Sequence, residues 1–112
     1  MKKLAKLVVA TVLSLPFAVG TALSAQAEAT RFMLRNNSGY TLSRFYASPT
    51  YLSRWEDDIL GSQVLYSGYE VGIKINDGRT TCWYDFKSVF SNGENIVRQR
   101  INVCKLELYT IE

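Results

Sequence analysis

Tyr69-Glu70-Val71-Gly72-Ile73-Lys74-Ile75-Asn76-Asp77-Gly78 is the stretch of this 112-residue chain that decides its fold class. Tyr69, Val71, Ile73 and Ile75 alternate with Glu70, Gly72, Lys74 and Asn76. Successive side chains of a strand point to opposite faces, so this is a strand with one apolar face and one wet one. Asn76-Asp77-Gly78 then marks a turn, because asparagine and aspartate tolerate left-handed backbone and glycine adopts it at no steric cost. We expect a hairpin here, feeding a strand over Thr80–Phe90 on which Cys82, Tyr84, Phe86 and Phe90 share a face.

The same alternation continues on both sides. Ser91-Asn92-Gly93-Glu94-Asn95 is the next turn, Ile96–Cys104 returns from it, and Lys105–Ile111 makes a last strand with Leu106 and Leu108 on one side. Upstream, Phe32 and Leu34 alternate with Arg31 and Arg35. Asn36-Asn37-Ser38-Gly39 reads as a turn, and Tyr40–Ala47 as a strand closed by Ser48-Pro49, since proline cannot donate to a ladder. Thr50–Ser62 is the least regular piece, expected as a long connection with one helical turn after Ser53. Gln63–Tyr66 is expected as a short strand before the Ser67-Gly68 turn. Short strands separated by frequent turns give an all-β domain, a small antiparallel β-sandwich of immunoglobulin-like or C2-like type. A small β-barrel is the alternative. Neither internal repeats nor a linker divides residues 28–112, which read as a single domain.

The two cysteines test this layout. Gly93 lies midway between Cys82 and Cys104, the only two in the chain. A hairpin about that turn brings their Cα atoms roughly 4.5–5.5 Å apart, within disulfide reach. Closing a loop of this length stabilises the fold by about 3 kcal/mol in the chain-entropy account. In a domain this small the core alone barely outweighs conformational entropy, so a staple is expected.

The first residues are of another kind. Lys2, Lys3 and Lys6 precede an apolar run over Leu7–Ala18, and Ala25-Gln26-Ala27 fits a small-residue cleavage site. Residues 1–27 therefore read as a cleavable signal peptide, with cleavage after Ala29 as the neighbouring choice. No cysteine follows the apolar run and no twin arginine precedes it. The expected destination is periplasmic or extracellular in a bacterium, with no stable membrane anchor after cleavage, an oxidising setting in which the cysteines pair. The three n-region lysines belong to the 13 basic residues, so the rest of the chain sets 10 basic against 10 acidic residues. That balance argues against nucleic acid as the main partner, because phosphate binding normally shows as a retained basic patch.

Catalysis finds little support. The chain has no histidine, which excludes Ser-His-Asp and Cys-His arrangements. The carboxylates Glu56, Asp57, Asp58, Asp77, Asp85 and Glu94 have too small a domain around them for a desolvating cleft, and a non-enzymatic role is expected. Calcium, an oxygen-ligand ion, is the alternative use of Asp57, Asp58 and Asp77, which loops at one end of a C2-like sandwich would gather; otherwise no cofactor is expected. The aromatic residues point to recognition. Trp83 alternates away from Cys82, Tyr84 and Phe86, and Tyr51 and Trp55 lie in the long connection. We expect a binding surface built on Tyr51, Trp55 and Trp83, since aromatic side chains carry much of the contact energy at binding surfaces. Arg98 and Arg100 share a face by alternation and would suit an anionic partner. Asn36-Asn37-Ser38 matches a glycosylation acceptor, but a turn already explains these residues.

Tyr46-Ala47-Ser48-Pro49, Trp55 with Asp58-Ile59-Leu60-Gly61, Cys82-Trp83-Tyr84-Asp85 and Asn102-Val103-Cys104 together resemble a group of short, secreted, functionally uncharacterised bacterial proteins. The resemblance covers most of residues 28–112 and implies an exported disulfide domain, with nothing implied about activity. The expectation from sequence is thus a non-catalytic exported module that binds a protein or cell-envelope component, with a calcium- or lipid-surface-binding C2-like module as the alternative.

Overall fold

The computed structural model describes residues 29–112, and the signal-peptide reading lies outside them. Six strands run through the described residues: β1 (Thr30–Asn36), β2 (Leu42–Pro49), β3 (Glu70–Ile75), β4 (Trp83–Phe90), β5 (Asn95–Asn102) and β6 (Leu108–Ile111). They form two three-stranded sheets, ordered β3-β1-β6 and β2-β4-β5. The fold is a small β-sandwich, and no closed barrel forms. Within the described residues no helix is long and apolar enough to cross a membrane.

Alternation explains how the layers meet. Phe32 and Leu34 of β1, Ile73 and Ile75 of β3, Phe45 of β2, and Tyr84, Phe86 and Phe90 of β4 are all buried. Aromatic rings interlock the sheets: Phe32 stacks on Phe86 with centroids 5.3 Å apart, and Tyr109 of β6 meets Phe86 edge-on at 4.9 Å. Such aromatic pairs add to burial about 0.5–1.5 kcal/mol each. β6 pairs with β1 in parallel, with Leu34 opposite Tyr109 and Asn36 opposite Ile111. That register turns Tyr109 and Ile111 inward, so Leu108 is exposed, while Leu106 packs against the core from the preceding loop. The expected common side for Leu106 and Leu108 is therefore not found.

The Asn76-Asp77-Gly78 turn differs from expectation. It does not join neighbouring strands: β3 pairs with β1, and β4 pairs with β2 and β5. The turn is a crossover between sheets. Both strands carry one strongly apolar face, and crossing sets these faces against each other across the core instead of side by side in one sheet. Among the described residues only the β4–β5 link, through Ser91–Glu94, is a hairpin between neighbouring strands.

The disulfide pairs Cys82 with Cys104 across the open end of that hairpin, with Cα atoms 5.2 Å apart. Both cysteines lie just outside the strands, and the Cys82 carbonyl accepts from the Val103 amide at 2.8 Å.

The connection after β2 contains neither the expected helical turn nor the expected Gln63–Tyr66 strand. It runs along the outer edge of β2, touching it at two isolated bridges, Leu42 with Leu65 and Tyr46 with Asp58. Asp58 explains this path. Its Oδ1 accepts from the Phe45 amide at 2.8 Å and from its own Leu60 amide at 3.1 Å. A carboxylate satisfying an edge amide stands in for a partner strand there, and the connection covers this edge at its two bridges.

Asn36 anchors the other end of the connection. Its side chain is wholly buried and makes four bonds. Nδ2 donates to the carbonyls of Tyr40 and Leu65 at 2.7 and 2.8 Å, and Oδ1 accepts from the Ser38 amide and hydroxyl. The residue is a structural clasp, with its full amide capacity engaged.

Candidate functional site

The outward face of the β2-β4-β5 sheet carries the most unusual local geometry. β4 alternates cleanly, with Tyr84, Phe86, Ser88 and Phe90 inward and Trp83, Asp85, Lys87 and Val89 outward. Tyr46 of β2 lies opposite Lys87, and Ser48 opposite Asp85. On the other side, Val97 of β5 lies opposite Lys87.

A β-bulge interrupts β5 at this point. Tyr84 pairs with Ile101, but Phe86 pairs with Arg98, so Gln99 and Arg100 together oppose Asp85. Arg100 takes φ 60°, the one positive value outside glycine among the described residues. A side chain in left-handed backbone costs about 1–2 kcal/mol, so something must hold it there. Asp85 does so: its Oδ1 accepts from the Arg100 amide at 3.0 Å and from the Thr50 hydroxyl at 2.8 Å.

The bulge re-aims a side chain, a common use of the motif. Strict alternation puts Arg98 and Arg100 on the same face. The extra residue separates them. Arg98 stays level with inward-facing Phe86 and its charge acts on Tyr109, whose burial pushes its hydroxyl pKa up. The Arg100 guanidinium instead lies 5.5 Å from the centre of the Trp83 ring. The expectation that Arg98 and Arg100 share a face is corrected by this one inserted residue.

Next to the bulge lies a groove of about 230 Å³, lined among others by Ser48, Arg54, Trp55, Asp85 and Gln99. Trp55 comes from the connection and tilts against Tyr46 with ring centres 6.4 Å apart. Lys87 sits near both rings, its Nζ 5.7 Å from the centre of Tyr46 and 5.8 Å from that of Trp55. Trp83, two residues before Asp85 on the same face, is 44% exposed. Of the three aromatics expected to form a surface, Trp55 and Trp83 thus belong to one sheet face. Tyr51, 64% exposed, does not line the groove.

The connection that carries Trp55 is clamped from behind. The Glu56 amide donates to the Ser48 hydroxyl at 2.7 Å. Arg79 grips the Glu56 carboxylate with both terminal nitrogens, at 2.7 and 3.1 Å, and also donates to Asp77 at 3.1 Å. The Tyr84 hydroxyl, rising out of the core, donates to the same Asp77 oxygen at 2.6 Å. Hydrogen bonding from Arg79 holds Glu56 below the usual carboxylate range. Burial raises Asp77, but the bonds from Tyr84 and Arg79 outweigh it, and its pKa lies below normal. Burial, with Asp77 as acceptor, pushes the Tyr84 hydroxyl well up. Both carboxylates are therefore charged and engaged at neutral pH.

The aspartates considered for calcium have these positions: Asp58 faces the amides of Phe45 and Leu60, Asp77 faces Arg79 and Tyr84, and Asp57 is exposed. Asp57 and Asp77 line one depression of about 520 Å³, together with Arg54 and Lys74. Within the described residues no group of three or more acidic, cysteine or histidine side chains is placed to hold a metal.

The sequence identifies Asp85 as a carboxylate and Tyr46 as part of a short motif, but places neither of them, nor Gln99 or Lys87, in the binding surface. Two of them were within reach. An aspartate in the middle of a β-pattern runs against strand propensity, and the alternation that exposes Trp83 exposes Asp85 and Lys87 as well. Gln99 and Tyr46 join the site through strand pairing, which alternation alone does not define. The chain matches no protein-family model, no curated protein and no solved structure.

Proposed function

We propose that this chain is a non-catalytic exported binding module whose ligand surface is the outward face of the β2-β4-β5 sheet, where it takes a protein or cell-envelope component. The observation that carries this reading is the bulge: a strained Arg100, held by Asp85, set over an exposed Trp83 beside the Trp55 groove. Strain of this kind persists only when its surroundings hold it, and it concentrates at functional sites. Exposed tryptophan with arginine is the composition of binding hot spots. The non-catalytic part rests on chemistry: the chain lacks histidine, and both cysteines are joined in the disulfide. The disulfide also fits export to an oxidising compartment.

The test is retention of cell-envelope components on immobilised wild-type protein, compared with Trp55→Ala and Trp83→Ala variants whose melting curves stay cooperative. Loss of the same component in both variants supports the reading. Retention unchanged in both removes this face as the binding surface.

A further inference from the structure

Resting on that reading, we infer that the ligand of this face is an acidic polysaccharide, a glycan chain bearing carboxylates of the uronate kind. The first argument is charge. Arg44, Lys87 and Arg100 lie on or over this face and form no salt bridge among the described residues. Arg54 in the groove has only a 3.7 Å approach to Glu56, whose carboxylate is already gripped by Arg79. Against these four cations stand Asp85, whose Oδ1 is occupied by the Thr50 hydroxyl and the Arg100 amide, and Glu56, which Arg79 holds. The chain from residue 28 onward is balanced in charge, so this excess is local and is complementary to an anion.

The second argument selects the kind of anion. The cations are interleaved with flat rings: Lys87 lies beside Tyr46 and Trp55, and Arg100 lies on Trp83. Such a surface offers a ring face for the apolar side of a sugar, and guanidinium and ammonium donors for its carboxylate. The Gln99 side chain in the groove adds an amide able to donate to and accept from hydroxyls. An extended acidic peptide is favoured by a different feature, an open strand edge with unpaired amides. Here the β2 edge is covered by the Leu65 and Asp58 bridges, and the rings and cations lie on the sheet face. The other edge strand, β5, is free on its outer side, so the poly-L-glutamate titration below is the direct test of an edge-bound acidic peptide.

The experiment is calorimetric titration of the protein with a polygalacturonate oligosaccharide, a neutral dextran oligosaccharide and poly-L-glutamate, at low and moderate salt. Wild type is compared with Lys87→Glu, Arg54→Ala and Trp83→Ala, with Arg31→Glu on the opposite sheet as control. Polygalacturonate is expected to bind, at least tenfold more weakly in Lys87→Glu and several-fold more weakly in Arg54→Ala and Trp83→Ala, and equally well in Arg31→Glu. Arg54 is a highly exposed loop side chain, so its variant tests the site even if Trp83→Ala fails to fold. Equal binding of poly-L-glutamate overturns the glycan assignment, as does polygalacturonate binding that Lys87→Glu leaves unchanged. Dextran binding without polygalacturonate binding, lost in Trp83→Ala, also overturns the acidic class while leaving the binding module standing. Absence of polygalacturonate binding overturns the inference, and the envelope-retention comparison above then decides separately whether the face binds anything else.

Discussion

The two outer faces of this sandwich are built from similar residues and are organised in opposite ways. On the β3-β1-β6 sheet the ladders run without a register shift, and Arg35 meets Glu70 directly opposite in an ion pair. The centre of that face is a small apolar strip, with Met33 level with both Gly72 and Leu108. On the β2-β4-β5 sheet both pairings carry a shift, one at Leu42/Arg44 and one at Tyr84/Phe86. Among the described residues unpaired cations occur on both faces, Arg31 opposite Lys74 on the regular sheet and Arg44, Lys87 and Arg100 here, but only here is an arginine held in left-handed backbone. The irregularity is actively held in place by Asp85, and the proposed binding face rests on it.

This contrast can be broken at several points. The largest expected effect is at the disulfide, which fastens the irregular sheet and not the regular one. Replacing both cysteines with serine is expected to lower unfolding free energy by about 3 kcal/mol, measured by chemical denaturation. Hydrogen exchange should then rise first at the open end of the β4–β5 hairpin; a uniform rise over both sheets would show that the staple serves the whole domain equally. Next comes Asp85→Ala. It leaves the strained Arg100 amide and the Thr50 hydroxyl without their acceptor, at a cost of about 2 kcal/mol. Binding at this face should fall with it, whereas a loss of stability with unchanged binding would make Asp85 purely structural. The smallest effect is expected for Arg100→Gly. Glycine adopts φ 60° without steric cost, so stability should rise by up to about 1 kcal/mol while binding weakens several-fold. A rise in stability with intact binding would detach the strain from function.

How far the residues alone led differs between the parts of the molecule. The alternation at Tyr69–Ile75 identified β3, although exposed Tyr69 lies just before it, and Cys82-Trp83-Tyr84-Asp85 onward identified β4. The midpoint at Gly93 identified the β4–β5 hairpin and the disulfide. Each of these signals is local: side-chain period and turn residues act over a few positions. Trp83 was legible as outward-facing for the same reason, and it is exposed. The long connection was less legible, because Asp58 uses its carboxylate on the amide of Phe45 in β2, 13 residues away. The groove was legible only in its aromatic members, since Asp85, Gln99 and Lys87 become a site through pairing with β2 and β5.

What the sequence by itself determined is the existence of β1 to β6, although with an extra strand at Gln63–Tyr66, the inward faces of β1, β3 and β4, and the pairing of the two cysteines. Apolar periodicity and loop length suffice for these, because they follow from which side of a strand is hydrophobic and where the chain can reverse. Only the tertiary structure decided which strands became neighbours. The Asn76-Asp77-Gly78 turn serves a hairpin or a crossover equally well, and the burial of two apolar faces against each other chose the crossover. The same holds for the bulge. Nothing in the spacing of Arg98 and Arg100 distinguishes a regular strand from one with an extra residue. The carboxylate of Asp85, delivered by the neighbouring strand, makes the left-handed turn at Arg100 tolerable and places a cation over Trp83.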